Sequence, residues 1–177
     1  PGDALGEGDP ILWQAPTDAD LAAVESSEDI DLDAIRPDLA AAIERHERGL
    51  DHRRPKAVER RRSRNQRTAR ENLADIADPG SFQEYGALVL AAQAARRSKE
   101  DLIKNTTGDG VVTGVGTVNG ADFAPETARC AFAVYDYMVL AGTQGQRHHR
   151  KLDRIFTLAR DWKMPMIVLA EGGGGRP

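Results

Sequence analysis

Cysteine is nearly missing from this sequence: Cys130 stands alone among 177 residues. One thiol forms no internal disulfide, which excludes a disulfide-stapled secreted scaffold and fits a reducing, cytoplasmic compartment. A lone Cys can be a nucleophile, but Cys130 opens the apolar run Cys130-Ala131-Phe132-Ala133-Val134, where a buried structural thiol is the expected role. Aromatic residues make up only 5% against 40% hydrophobic residues, so the core must be aliphatic and rich in small side chains. No apolar run reaches the ~18 residues of a membrane span. The Pro1-Gly2-Asp3 start has neither the charged nor the apolar region of a signal peptide.

Basic residues are almost absent from the first quarter of the chain. Residues 1–43 hold 11 acidic and one basic side chain, residues 44–71 hold 11 basic and 5 acidic, and residues 72–177 hold 12 of each. The net charge of −4 therefore conceals a sign change, which suits consecutive pieces of a larger assembly better than one self-contained domain. Both ends read as cut: no Met opens the chain, and it stops within Gly172-Gly173-Gly174-Gly175-Arg176-Pro177.

Turn residues at Gly2, Asp3, Gly6 and Gly8 between short apolar pieces predict a β-hairpin over 1–14. Residues 15–35 read as a solvated acidic linker with a turn or two of helix. Pro37 opens a helix that ends near Gly49, and a second helix is expected over 57–76, stopped by Asp78-Pro79-Gly80. Tyr85–Leu90 reads as a strand, and Ser98 caps a short helix carrying Leu102 and Ile103. Val111–Val118 alternates as a strand into Asn119-Gly120, the strongest turn signal in the chain. The return strand resumes at 129–134 after a long connection, and 137–141 reads as a further strand. Leu152, Ile155, Phe156 and Ala159 share one face of a helix over 146–162, and Pro165 introduces the buried strand 166–170. This β–loop–α–β ending predicts an open α/β layer structure.

Two loops carry chemistry. The glycine run after strand 166–170 lets backbone N–H groups approach a ligand without an intervening Cβ. Two such groups aimed at one point make an oxyanion hole, although a flexible exit loop has the same composition. Arg176-Pro177 follows the last glycine where a phosphate-binding loop needs Lys-Ser/Thr, which excludes that motif. Gly142-Thr143-Gln144-Gly145 opens the 146–162 helix, whose N-terminus suits an anion. Arg147, Arg150, Lys151 and Arg154 lie unfavourably for the helix dipole unless an anion is near; solvated basic residues are the plainer alternative. His148 and His149 point ~100° apart on a helix, so a shared metal site is not expected and no metal is assigned.

Arg60-Arg61-Arg62-Ser63-Arg64 with Arg67 and Arg70 raises a nucleic-acid-binding module over 53–70 as an alternative of another class. Residues 51–81 hold no aromatic side chain to stack on bases, which favours a solvated or interface helix. Gly114-Val115-Gly116-Thr117-Val118-Asn119-Gly120 lies inside a strand and runs into a hairpin, so it is not a dinucleotide fingerprint.

Taken in order, several segments resemble the carboxyltransferase component of biotin-dependent acyl-CoA carboxylases. They are Arg67–Glu71 with Asp78–Phe82 and Glu84–Gly86, Asp109–Gly120, Tyr135–Gly145 with His149–Arg154, and Glu171–Pro177. The resemblance spans residues 45–177 and implies a crotonase-like ββα superhelix, here the first part of the N-domain over 44–177. It implies a carboxyl group moved from carboxybiotin to the α-carbon of an acyl-CoA through an enolate held by backbone oxyanion holes. Gly173 and Gly174 are the implied catalytic pair, with slippage by one glycine possible. Gly142, Thr143, Gln144, Gly145, Arg147 and Lys151 are expected near the CoA. The 121–128 connection is longer than expected, and the family's second oxyanion hole and biotin-facing domain are not in this sequence, so the segment is not expected to act alone. A biotin-dependent acyl-CoA decarboxylase, running the reverse reaction, and an interdomain scaffold remain alternatives.

Gly2-Asp3, Leu5, Gly8-Asp9 and Ile11-Leu12 also resemble the closing hairpin of a biotinyl carrier domain. Residues 15–43 would then be the linker of a fusion. The implied partners are biotin carboxylase and biotin carboxyl carrier domains, in a homo-oligomer without nucleic acid or membrane. Biotin would be carried on a lysine outside this segment, with ATP, Mg and bicarbonate used at the biotin carboxylase.

Overall fold

The computed structural model describes residues 31 and 33–176. The expected hairpin at 1–14 lies outside the described residues, as does the acidic segment up to residue 30. Residues 36–176 lie in one compact unit.

Its centre is a four-stranded sheet in sequence order: β1 Gln83–Tyr85, β2 Val111–Thr117, β3 Arg129–Tyr135 and β4 Met166–Leu169. The first two pairings are antiparallel and the last is parallel, because a sixteen-residue helix connects β3 to β4. The helices are α1 Pro37–Glu47, α2 Pro55–Arg62, α3 Ala69–Ile76, α4 Lys99–Asn105, α5 Pro125–Ala128 and α6 Gln146–Asp161.

Strand β3 shows why its sequence is apolar throughout. Successive side chains alternate between the two faces of a strand. Ala131 and Ala133 pack with Leu152, Ile155, Leu158 and Ala159 of α6. Cys130, Phe132 and Val134 pack on the other face with Ala69 and Leu73 of α3. A helix on each face buries both, as with strands of α/β folds. The rings of Phe82 and Phe132 meet edge to face, 5.8 Å apart. Cys130 is buried, and burial pushes its thiol above the ordinary value, as suits a packing residue.

Three expectations need correction. The helix expected over 57–76 is two helices. Asn65 turns left-handed at φ +55°, and Thr68 starts α3 with a reciprocal capping box: its side chain accepts from the Glu71 amide while Glu71 accepts from its amide. The strand expected at 85–90 ends at Tyr85, because Gly86 turns the chain at φ +71°. Residues 137–141 are not a strand: Asp136 accepts from the Met138 amide at 3.0 Å, and Leu140 and Ala141 take left-handed conformations in a short 3-10 turn. The long 121–128 connection does not disturb pairing. The single-turn helix α5 absorbs it, and the β2–β3 register runs unbroken from Val111↔Tyr135 to Thr117↔Arg129.

The Asn119-Gly120 turn is held from outside the hairpin. The Asp78 carboxylate accepts from Thr117 Oγ1 and from the amides of Asn119 and Gly120 at 2.6, 3.0 and 2.8 Å. These bonds, that of Thr117 foremost, hold its carboxyl below the ordinary value.

Candidate active site

The strands β3 and β4 run parallel, so their carboxyl ends open on the same side, where open α/β sheets place ligands. The chain leaving β4 is the glycine run, and the chain leaving β3 leads to the start of α6. These two segments touch. The Gln144 amide donates to Gly174 O, the Arg176 amide donates to Gln144 O (both 2.8 Å), and Gln144 and Gly175 form a parallel bridge.

The glycines divide into two kinds. Gly142 and Gly172 are pressed backbone to backbone: a Cβ on Gly142 would overlap Glu171 O, and one on Gly172 would overlap Gly142 O. Gly173 and Gly174 face open space. A Cβ on Gly173 would meet only Thr143 Cγ2 at 3.5 Å, and one on Gly174 would meet nothing within 4 Å. Among the described residues, the amides of Gly173 and Gly174 donate to no oxygen. The residues expected to form the oxyanion hole thus present two adjacent unbonded amides beside a helix N-terminus.

Helix α6 follows Gly145, which offers no side-chain cap, and has no acidic residue in its first turn. The missing acceptor comes from a distant turn. Asp109 is fully buried, and its Oδ2 accepts from the His148 amide at 2.6 Å. Its Oδ1 accepts from the Arg176 guanidinium, which also donates to Thr143 O. Burial pushes the Asp109 carboxyl up, against the lowering effect of Arg176 and the His148 amide. Asp109 sits at φ +51° between Gly108 at +62° and Gly110 at +79°, a left-handed turn that Asp tolerates better than most residues.

The expected CoA residues fall into separate places. Thr143 and Gln144 lie against the glycine run, with Gln144 Nε2 donating to Tyr135 Oη at 3.0 Å. Arg147 sits in the first turn of α6 and lines a cavity of about 580 Å³ with Arg45, Arg150 and Arg154 above Leu88, Val89 and Leu90. Lys151 contributes its stem to the same wall, but its ammonium turns inward to Gly108 O at 3.0 Å and to Val111 O. Burial lowers its pKa from 10.5 to about 8, partly opposed by Glu84. A second cavity of about 490 Å³ lies at Gly145, Gln146, His149, Gly175 and Arg176.

His148 is fully buried. Its Nδ1 lies 3.1 Å from Asp109 O. A carbonyl only accepts, so Nδ1 carries the proton of the neutral ring. Burial drives its pKa down to about 4. No cluster of three metal-ligating side chains occurs among the described residues.

The basic run over 60–70 is largely occupied within the chain. Arg61 pairs with Glu171, Arg62 with Glu71, Arg67 with Asp75 and Arg70 with Glu84. This removes much of the free positive face that a nucleic-acid module requires. Asp109, Arg61 and Glu171 received no role from the sequence. Asp109 and Glu171 are visible there only as members of motifs, and Arg61 only as one of the six arginines of the 60–70 run.

Residues 60–176 match the family described as the carboxyl transferase domain, and the chain belongs to that family. Its fold is the crotonase-like α/β fold of these proteins. Among curated proteins it is 32% identical over 162 residues to the biotin-dependent acetyl-/propionyl-coenzyme A carboxylase beta5 subunit of Mycobacterium tuberculosis, covering 90% of this chain and 28% of that protein. It is 32% identical over 122 residues to the methylmalonyl-CoA decarboxylase subunit alpha of Veillonella parvula, covering 68% of this chain and 22% of that protein. Among solved structures it is similar to a single-chain, multi-domain long-chain acyl-CoA carboxylase, with 56% identity and a TM-score of 0.78 over 81% of this chain and 14% of that one. It also resembles transcarboxylase 12S, with 27% identity and a TM-score of 0.62 over 81% of this chain and 26% of that one. The chain thus spans 28% of the length of the M. tuberculosis relative and less of the other three.

Proposed function

We propose that this chain supplies the acyl-CoA half of the carboxyltransferase site in a biotin-dependent acyl-CoA carboxylase. The carrying observation is the pair of adjacent amides at Gly173 and Gly174, which donate to no oxygen among the described residues and carry no side chain. In the reaction, the α-hydrogen of an acyl thioester is replaced by a carboxyl group, and the proton passes to the donor that releases the carboxyl. Negative charge gathers on the thioester oxygen as the α-carbon becomes nucleophilic. Two fixed N–H groups in a site shielded from water stabilise that charge without reorganising. Biotin, when present, supplies the carboxyl group in activated form. No lysine of this sequence stands in an Ala-Met-Lys-Met context, and the carrier lysine would be supplied from outside these residues. ATP, Mg and bicarbonate would act at the biotin carboxylase.

The arginine-lined cavity suits the other end of the substrate. Arg45, Arg147, Arg150 and Arg154 offer guanidinium groups to the phosphates of CoA, and Leu88–Leu90 offer apolar contact. Arg147 lines this cavity and the 142–145 segment lies against the glycine run, while Lys151 acts through its stem. The 56% identity to a long-chain enzyme supports a long-chain acyl-CoA as substrate. Its single-chain arrangement supports the fusion reading, with a carrier hairpin at 1–14, a linker at 15–43 and the carboxyltransferase from 44. The oligomeric relative named for its hexamer supports a homo-oligomer, and a cytoplasmic location accords with the chemistry.

The test is Gly173→Ala in the full-length enzyme. The added Cβ fits the space, so the fold is retained, while the methyl group obstructs the approach to the amides. Carboxylation of palmitoyl-CoA should fall by about 100- to 1,000-fold, as for loss of an oxyanion donor. Carboxylation at more than a third of the normal rate would reject the site. The decarboxylase relative supports one second reading, decarboxylation of a carboxyacyl-CoA. Release of bicarbonate without ATP-dependent carboxylation would favour it.

A further inference from the structure

The segment from Glu171 to Arg176 is anchored by a charge pair at each end, and between them Gln144 alone among the described residues binds its backbone, through Gly174 O and Gly175. At its start, the two Nη atoms of Arg61 reach the two carboxylate oxygens of Glu171, each at 2.7 Å. Arg61 is only 7% exposed, and it also donates to Arg67 O and to Gln66 Oε1. The fork is therefore fixed by its own surroundings. At the other end, Arg176 donates to the buried Asp109 carboxylate, whose second oxygen is fixed by the His148 amide. Between these anchors lie Gly173 and Gly174.

Stability alone does not account for two such pairs on a six-residue segment. Exchanging a buried ion pair such as Arg176–Asp109 for apolar groups is often neutral or stabilising, because desolvation offsets the attraction. A carboxylate as exposed as that of Glu171 adds little through its charge. A run of four glycines has the greatest backbone freedom of any sequence. An oxyanion hole requires the reverse, with donors held to within ~0.5 Å of the productive geometry. Two charge pairs that grip the flanking residues and make no contact with the Gly173 and Gly174 amides supply that restraint.

We propose that Arg61 and Asp109 are positioning residues, which hold the Gly173 and Gly174 amides in place by fixing the two ends of the glycine loop. The proposal rests on the carboxyltransferase reading above. Neither residue touches the substrate. Removing either one loosens one end of the loop, and the central peptide planes then gain rotational freedom.

The experiment uses Asp109→Asn and Arg61→Gln in the full-length enzyme, with Arg61→Lys as the conservative variant. Steady-state carboxylation of palmitoyl-CoA gives kcat and KM, ATP-dependent carboxylation of free biotin monitors the remote half-reaction, and thermal melting monitors the fold. For each of the first two variants kcat should fall by about 10- to 100-fold, the cost of a misplacement of about 1 Å. KM for palmitoyl-CoA should stay within threefold and biotin carboxylation should be unchanged. Arg61→Lys keeps the charge without the fork and should recover part of kcat. If Asp109→Asn does not fold, the same split between kcat and KM in Arg61→Gln decides.

Values of kcat within threefold of normal in Asp109→Asn and Arg61→Gln, beside a large loss in Gly173→Ala, would overturn the positioning role and leave the oxyanion reading intact. A parallel loss of kcat, palmitoyl-CoA affinity and melting temperature would also overturn it, by showing a general structural role. Full transfer by Gly173→Ala would reject the site itself and the positioning role with it.

Discussion

The carbonyl oxygen of Glu171 occupies the space in which a side chain on Gly142 would begin. Two strand-exit segments are thereby in direct backbone contact, and the approach is possible only because position 142 has no Cβ. Gly142 also sits at φ +63°, where an L side chain costs about 1–2 kcal/mol before any overlap. Gly142→Ala should therefore lower stability by more than that amount in urea unfolding and displace the glycine loop. Carboxylation should fall further than in Gly173→Ala, which leaves the loop's footing intact. A variant with normal unfolding and normal turnover would contradict the packing described.

Lys151 gives the fold a pH dependence of known sign. Its pKa is about 8 when folded against an ordinary 10.5, so between these values the unfolded chain holds more protons. Stability then rises with pH across that window. The full difference is about 3 kcal/mol. Urea midpoints measured from pH 7.5 to 10 should climb, and the climb should be absent from Lys151→Met. A midpoint that is flat or falls over that range in the normal protein, relative to the variant, would refute the depressed value.

Arg150 and Arg154 should behave as binding residues. Replacing either by Ala should raise KM for acyl-CoA by about 10-fold, with kcat little changed, since a contact kept from ground state to transition state affects only uniform binding. The effect should shrink as salt is raised. Steady-state kinetics at 50 and 300 mM salt measure both.

Gly114 allows Phe82 to lie across β2. A Cβ there would stand 2.5 Å from Phe82 Cζ and overlap Gln83 O, the strand neighbour. Gly114→Val should detach β1 from the sheet and break the Phe82–Phe132 contact. The expected loss is about 3–5 kcal/mol, comparable to removing a buried aromatic ring. Faster amide exchange at 83–85 and 113–115 should accompany it.

What was legible in the sequence was whatever depends on near neighbours. Alternation marked β2, an apolar run marked β3, the apolar face at Leu152, Ile155 and Ala159 marked α6, and Pro165 marked the entry to β4. The break between α2 and α3 was written at Thr68 and Glu71 as a capping box, but strong helix formers on either side hid it. Strand β1 has only three residues and exists because β2 offers it a partner. The apolar run at 137–141 looks like a strand until Asp136 and two left-handed residues turn it. The glycine pair could be read locally, whereas its anchors could not. Asp109 lies 67 positions from Arg176 and Arg61 lies 110 from Glu171, and no local pattern joins either pair.

The two small residues on the α6 face of β3 set a tolerance for the whole site. Ala131 and Ala133 have no exposed surface and fix how closely α6 can lie on the sheet. The start of α6 is joined through Asp109 to the glycine run, so any bulk added at these alanines is passed along a stiff lever to the amides. A mutational screen scored by turnover would therefore mark Ala131 and Ala133 as sharply as residues that face the substrate, although neither reaches it.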